Sequence, residues 1–364
     1  MLGLLRYSQK PRTDMYLEID RRDIRQFRLV ETHPPQELPD GHVLLRLERA
    51  ALTSNNVTYA YSGEMLDYWG FFPTEANWGR LPVMGFGVVA ASTCADIAVG
   101  GRYFGFFPLG DHHLVQAQSS NIGFTDVAPW RAKHASTYRN FTRAEANAQD
   151  DRYAIFRGLY MTSFLLEDYL RENNFFDAQQ IIITSASSKT SIAFASCLQR
   201  FSDVKVAGLT SARNLSFVKD VDEYDEIIDY QDLDAINPQV MSAVIDMAGN
   251  PQIIADVHSK LKTNVVYSCS VGATHWSATR ENISIPGPQP AFFFAPSQVS
   301  KRSKEWGREE LNRRIDDSLA VFIDGTQKWL TIQHAHGATE VAEVYSTLVT
   351  GQIDPRLGNI VSFD

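Results

Sequence analysis

Between residues 179 and 272 short, wholly apolar runs alternate with stretches of helical periodicity, and that alternation limits the fold more than any other feature of the chain. The runs are QQIIITSAS (179–187), VKVAGLTS (204–211), DEIIDY (225–230), SAVIDMAG (242–249) and TNVVYSCSVG (263–272). SKTSIAFASCLQRF and RNLSFVKDVD, between them, read as helices. A strand that is apolar on both faces is covered on both faces, which is the condition of a parallel sheet flanked by helices. Strand and helix in alternation therefore predict βαβ units and a doubly wound parallel sheet. The helical pattern RGLYMTSFLLEDYLRENN (157–174) leads into this region. AFFFA (291–295), a charged amphipathic helix at about 301–325, a strand-like WLTIQH and a closing strand GNIVSFD follow it.

The first part of the chain has a different grammar. HVLLRLERAAL (42–52) alternates apolar and polar residues, as a half-buried strand does. VMGFGVVAAS (83–92) and the segment ADIAVGGRYFGFFPLGDHHLVQAQ are apolar stretches punctuated by turn residues, the pattern of a small barrel-like β domain. Residues 126–150 are polar and mixed, and read as an irregular or partly helical connection. At 364 residues the chain has room for two domains.

Composition removes several functional classes. A net charge of −9 disfavours a nucleic-acid partner, which needs basic surface to displace counterions. No apolar run reaches the ~18–20 residues of a spanning helix. The start, MLGLLRYSQKPRTD, has no secretory apolar core before its charges, so a cytoplasmic protein with no membrane partner is expected. Cys94, Cys197 and Cys269 stand far apart, without metal-ligand spacing, and fit a reducing compartment. His112-His113 and His334-x-His336 lack an evident third ligand, so no metal site is expected.

The turn after IIIT carries the chemistry. Ser185-Ala186-Ser187-Ser188-Lys189-Thr190-Ser191 opens directly into a helix. A strand, a tight turn and a helix N-terminus form the place where backbone N–H groups and the helix dipole meet a dinucleotide pyrophosphate. The glycines usual in such a turn are absent. Serine serves where φ is negative, and its hydroxyl can donate to phosphate. Lys189 puts a positive charge at the helix start, which is unfavourable unless an anion sits there. A nucleoside-triphosphate loop is excluded, because Ser188 and Ile183 stand where that motif needs glycine. The next strand ends in Ser211-Ala212-Arg213-Asn214, with no acidic residue for a ribose diol. A hydroxyl beside a guanidinium suits a 2′-phosphate, so NADPH is the expected cofactor, with Lys189 and Tyr230 beside the same pocket. Ser270 and Gly272, at the end of VVYSCSVG, fall at the carboxyl edge of the sheet, where ligands bind in such folds.

Taken together, the motifs resemble the medium-chain dehydrogenase/reductase superfamily in its zinc-free quinone- and enoyl-reductase branch. HVLLRLERAALTSNN is similar to the family's strand entering its substrate-cleft loop, and LPVMGFGVVAAS to its P-x-x-x-G-x-x-G-x-V motif. IAVGGRYFGFFP is similar to the turn before G-D-R-V, and IIITSASSKTSIAFA to the V-x-V-x-G-A-x-G-G-V-G cofactor loop. VIDMAGN and GNIVSFD match the V-x-D-x-x-G strand end and the closing G-K-x-V-x. More narrowly, the chain resembles an uncharacterised group of reductase-like proteins whose cofactor loop lacks glycines. Zinc-dependent members carry Cys where this chain has Thr53-Ser54-Asn55-Asn56, and Gly-His-Glu where it has Gly85-Phe86-Gly87. Their four-cysteine zinc lobe is missing too, so zinc chemistry is not expected.

The resemblance implies an α/β protein made of a GroES-like, β-rich catalytic domain and a Rossmann domain. The expected boundaries are 1–155 for the catalytic domain, 156–328 for the cofactor domain and 329–364 for a return segment completing the first. The implied function is NADPH-dependent reduction of a carbonyl-activated double bond or a quinone. Asn55 and Asn56 are candidates for holding a substrate oxygen or the nicotinamide carboxamide, Tyr59 for proton donor, and Thr162 for a neighbour of the nicotinamide. The aromatic stretch 66–79 (Tyr68, Trp69, Phe71, Phe72, Trp78) reads equally as the wall of an apolar or aromatic substrate's pocket and as a packed satellite cluster. Phe292-Phe293-Phe294 would form an outer strand, a motive for a homodimer if it is left uncovered. Two alternatives stay open: the same fold acting on a ketone or without net redox change, and a non-catalytic binding or regulatory protein that has lost the dinucleotide.

Overall fold

The computed structural model describes residues 13–247, 249–271, 285–351 and 353–364, which form three sheets. Six parallel strands build the second half of the protein. Their spatial order is Glu226–Asp229, Lys205–Thr210, Gln180–Ile183, Ser242–Asp246, Val265–Val271, Ala291–Phe293. In chain order this is third, second, first, fourth, fifth, sixth, the doubly wound dinucleotide-binding arrangement. The order reverses between Gln180–Ile183 and Ser242–Asp246, and a crevice opens there at the carboxyl ends of the strands. The all-apolar run is explained by burial: Ile181, Ile182 and Ile183 are each fully enclosed, two facing one helical layer and one the other.

The first half is a barrel. His42–Leu52 runs antiparallel to Pro82–Ser92, and the sheet continues through Arg102–Pro108, Asn140–Arg143, Gly123–Asp126 and His112–Ser120. It closes where His112–Ser120 pairs back onto the first half of His42–Leu52. The other half of that strand takes a different neighbour: Leu52 faces Asn359 in the closing strand Leu357–Ser362, which in turn lies parallel to Thr331–His336. The end of the chain thereby completes the sheet begun near its start. A hairpin of Asp14–Asp20 and Phe27–Thr32, joined by Trp78–Arg80, covers the barrel.

Three expectations need correction. The helix read as beginning at residue 157 begins at Asp150, because Ala154, Ile155 and Phe156 extend its buried face and Asp150 and Asp151 favour its N-terminal dipole. The connection before it contributes a barrel strand, Asn140–Arg143, and two short helical turns, Pro129–Arg131 and Ser136–Tyr138. The amphipathic helix expected at about 301–325 is two helices, Ala295–Trp306 and Arg308–Thr326, interrupted at Gly307. Where Asp150–Glu172 crosses the barrel, Gly158 lets it approach Met84; a Cβ at Gly158 would stand 2.6 Å from the Met84 sulfur. Among the described residues no helix is long and apolar enough to cross a membrane.

Helix Asp150–Glu172 also buries a carboxylate at a cost. The Glu167 side chain is 0% exposed; one oxygen accepts from Arg171 Nε at 2.9 Å, and the other has no hydrogen-bond partner among the described residues. Burial pushes its carboxyl up to about 7 from an ordinary 4.5. The folded chain then binds more protons than the unfolded chain across that window, so this group's contribution to stability is lost as pH rises through it. The ceiling is about 3 kcal/mol, from roughly 1.4 kcal/mol per pKa unit. Glu167→Gln should therefore raise the urea midpoint above pH 7 and change it little below about pH 4.5. Parallel wild-type and variant pH profiles would remove Glu167 as a source of strain.

Candidate active site

A cleft of about 470 Å³ opens between the barrel and the carboxyl edge of the parallel sheet. Its sheet side is the glycine-free turn. Ser185 has φ +54°, so the expectation of serine only at negative φ fails there. A left-handed L-residue costs about 1–2 kcal/mol, and here the Ser185 N–H donates to the Tyr230 hydroxyl at 2.6 Å. The remaining serines hold the turn through their hydroxyls. Ser188 caps helix Lys189–Phe201 by accepting from Ser191 N at 3.1 Å, and Ser191 Oγ donates to Thr184 O at 3.1 Å. Ser187 Oγ accepts from Asn214 Nδ2 at 2.9 Å, tying the turn to the end of the second strand.

Lys189 needs an explanation that the sequence reading did not supply. Its ammonium donates to Leu357 O at 2.7 Å and Pro355 O at 3.2 Å, both in the return segment. These two carbonyl dipoles, together with the Asp354 carboxylate, offset the charge placed at the helix start. Burial pushes this amine down to about 8. Ser185, Ser187, Ser188, Lys189 and Thr190 all line the cleft. So does Arg213, exposed on the turn Ala212–Asn214 and without an ion-pair partner among the described residues. Ser211 begins that turn and does not reach the cleft wall. Tyr230 stands behind Ser185 rather than on the wall. Ser270 pairs in the sheet between Asp246 and Phe292, and its neighbour Val271 is the residue on the wall. Gly272 lies outside the described residues.

The barrel side is built on residues 53–61, which form a helix, Ser54–Tyr61, rather than a loop. Thr53 is its N-cap, and Asn56 Oδ1 accepts from Thr53 N at 2.7 Å in a reciprocal cap. Asn56 Nδ2 donates to Pro82 O at 2.9 Å, and the side chain is 5% exposed. Asn56 thus holds the helix to the barrel and borders only a small secondary pocket. Asn55 and Tyr59 do face the cleft, and the Asn55 amide reaches the Tyr59 phenol. Burial raises the Tyr59 hydroxyl far above its ordinary value, so it stays protonated. Thr162 lines the cleft beside Gly158 and Leu159, its hydroxyl donating to Gly158 O at 3.3 Å.

Sequence reasoning missed the partners of Tyr59. Its ring centroid lies 4.4 Å from that of Tyr68, which meets Tyr138 edge-on at 6.2 Å. All three line the cleft. Tyr68 lay within the aromatic stretch singled out above, whereas nothing local marks Tyr138. The rest of that stretch is packing: Trp69, Phe71 and Phe72 are buried behind Tyr68, and Trp78 lies under the Arg28 guanidinium at 4.3 Å. Phe292, Phe293 and Phe294 form part of the wall on the sheet side. His112 is bound to Asp14 at 2.9 Å and His334 to Asp151 at 2.8 Å. Among the described residues no three His, Cys, Asp or Glu side chains converge as a metal site.

No curated protein matches the chain in sequence. Several solved structures match it in shape. CurA from Vibrio vulnificus is 13% identical, with 97% of this chain and 99% of that one covered and a TM-score of 0.59. CurA in complex with NADPH is 14% identical, over 93% and 94% of the two chains, at a TM-score of 0.61. The yhdH oxidoreductase from Salmonella enterica in complex with NADP is 12% identical, over 96% and 100%, at a TM-score of 0.56. At such identities the likeness is one of fold: a barrel-like β sheet beside a doubly wound parallel sheet. The family described as "Protein of unknown function (DUF2855)" matches residues 50–354, and the chain belongs to that family.

Proposed function

We propose that this protein is an oxidoreductase that binds NADPH and reduces a carbonyl-activated double bond or a quinone without a metal ion. One observation carries the reading: Arg213, with no ion-pair partner among the described residues, lines the same cleft as the phenols of Tyr59, Tyr68 and Tyr138, which burial keeps protonated. The donor set fits the cofactor. Arg213 offers a fork for a 2′-phosphate, and the Lys189 and Thr190 amides open helix Lys189–Phe201 beside the place for a pyrophosphate. Two solved structures of similar fold are complexes with NADP and NADPH. Thr53 and Gly85-Phe86-Gly87 carry no metal-binding side chain where zinc enzymes of this fold hold theirs, which supports chemistry without a metal.

The cofactor, when bound, supplies a hydride. The chain's own residues do the rest. Thr162, Met247 and Val271 line the cleft, and would hold a nicotinamide against the substrate. Tyr59 donates a hydrogen bond to the substrate oxygen as negative charge develops on it, and Asn55 orients that phenol. The aromatic walls exclude water and suit a planar, conjugated substrate. We assign residues 1–155 and 329–364 to the substrate side and 156–328 to the cofactor side, with helix Asp150–Glu172 running across the first boundary. Edge strand Ala291–Phe293 supplies a route to a homodimer.

The same turn favours a second reading. Ser185 N–H and the Lys189 ammonium are engaged within the protein, as they would be in a binding protein that has abandoned the dinucleotide. Calorimetry with NADPH, NADP, NADH and NAD, followed by NADPH oxidation in the presence of planar enones and quinones, separates the two. NADPH binding ahead of NADH, with a reduced product identified by mass spectrometry, supports the oxidoreductase. Failure to bind any of the four dinucleotides sinks it and leaves the binding protein.

A further inference from the structure

Tyr68 and Tyr138 both line the cleft and meet edge-on, with a hydrogen bond between their side chains, although they come from two separate segments with no strand pairing between them. A further contact ties the two segments that carry them. Tyr68 opens the helical turn Tyr68–Gly70, whose N-cap is Asp67. Tyr138 closes the turn Ser136–Tyr138. Asp67 joins the two: Oδ2 accepts from His134 Nε2 at 2.9 Å and from Lys133 Nζ at 2.5 Å. The second segment is braced from behind, where Arg131 Nη2 donates to Tyr138 O and its guanidinium stacks on Phe71 at 4.4 Å. The His134 ring also packs on Phe71, at 4.4 Å.

The local backbone is built around that carboxylate. Asp67 has φ +58°, a left-handed conformation that Asp and Asn tolerate better than most residues. Gly70 leaves the carboxylate its room, since a Cβ there would stand 2.4 Å from Asp67 Oδ1. Burial lowers the pKa of His134, while burial of Asp67 is outweighed by the hydrogen bonds from Lys133 and His134, which hold its carboxyl below the usual range. Asp67 is 40% exposed in its side chain, so the clamp is a geometric device rather than a large store of stability.

We propose that Asp67 is a positioning residue: through His134 and Lys133 it fixes Tyr68 against Tyr138 and thereby holds the aromatic wall of the cleft on which a flat ring would pack. The statement about the ring rests on the proposed function; the statement about the two phenols does not. Nitration by tetranitromethane, mapped by mass spectrometry, reads phenol accessibility without any ligand. Asp67→Asn keeps a residue that tolerates the left-handed turn and removes the charge, so turn and clamp are separated. Nitration of Tyr68 and Tyr138 should rise several-fold in Asp67→Asn, and equally in Lys133→Ala combined with His134→Gln. Tyr160 and Tyr345, buried elsewhere, should react as in wild type and report an intact fold. All three substitutions together should be no worse than either set, as for partners in one interaction. In parallel, 1,4-naphthoquinone binding by fluorescence quenching should weaken about tenfold in the clamp variants, with NADPH binding within twofold of wild type. Unchanged nitration at both phenols overturns the proposal. Increased nitration with unchanged naphthoquinone affinity overturns the part that concerns the ring. Wild-type protein that binds no NADPH removes the proposed function, and the nitration result still decides the clamp.

Discussion

Arg213→Ala should remove the preference for NADPH over NADH. The guanidinium stands on the turn after the second parallel strand, where dinucleotide enzymes choose between a ribose diol and a 2′-phosphate. No acid is present there, and Arg213 has no ion-pair partner among the described residues to give up. A charge-assisted bond of about 1.5–3 kcal/mol corresponds to a roughly 10- to 100-fold loss of NADPH affinity. NADH, without the phosphate, should change less than about twofold. Because Arg213 is exposed, the loss should shrink as salt rises. Arg213→Lys should recover only part of the affinity, since a point charge replaces a planar fork. Calorimetry at two ionic strengths checks all of this. Equal losses for both cofactors would move Arg213 to the pyrophosphate, and no loss at all would move the 2′-phosphate to other residues.

The parallel sheet was legible because its strands are buried on both faces. Ile181 to Ile183 and Ala243 to Ile245 leave no polar alternation to misread, and the helices between such runs imply parallel crossovers. Helix ends were less legible. The start of helix Asp150–Glu172 lies in a polar stretch whose acids look like solvent-facing loop residues until the dipole is considered. Within the site, Arg213, Thr162, Asn55 and Tyr59 could be placed from their position relative to strand ends and the cleft segment. Asn56, one residue from Asn55, could not: whether an amide faces a cleft or caps a helix is decided by the turn at Thr53, and a loop reading hides that turn. Tyr138 and Asp67 were invisible for a further reason. Their importance arises from contacts with residues about 70 positions away, such as Asp67 with His134, and no local pattern encodes such a contact.

The glycine-free turn shows how a backbone motif can be kept with different side chains. Glycine ordinarily serves such a turn by permitting positive φ and close approach. Here positive φ is retained at Ser185 with a tyrosine hydroxyl as support, and the serines at 188 and 191 hold the helix start by side-chain hydrogen bonds. Lys189 adds something glycine has no means to supply, a bond from this turn to the return segment that completes the sheet. The turn and the far end of the chain are therefore coupled, and the cleft between them is held by that lysine.

Tyr59→Phe should lower kcat about 100-fold and leave KM within a few-fold. The substitution keeps the ring that packs at 4.4 Å on Tyr68 and removes only the hydroxyl. Loss of one preorganised donor to a developing oxyanion reduces turnover by roughly 10²–10³. The ground-state carbonyl carries less charge than the transition state, so binding depends less on the same bond. The phenol's environment fixes the pH behaviour. Burial raises its pKa, so the hydroxyl remains a neutral donor throughout the accessible range. Turnover should then show no limb from Tyr59 between about pH 6 and 9, unlike a general acid that titrates near neutrality. Asn55→Ala should have the smaller effect, since it removes the amide that orients Tyr59 and leaves the donor in place. Steady-state kinetics across pH, with an enone and NADPH, provide the check. A full kcat in Tyr59→Phe would transfer the role to Tyr68, Tyr138 or water. A loss confined to KM would make Tyr59 part of the pocket wall rather than of the chemistry.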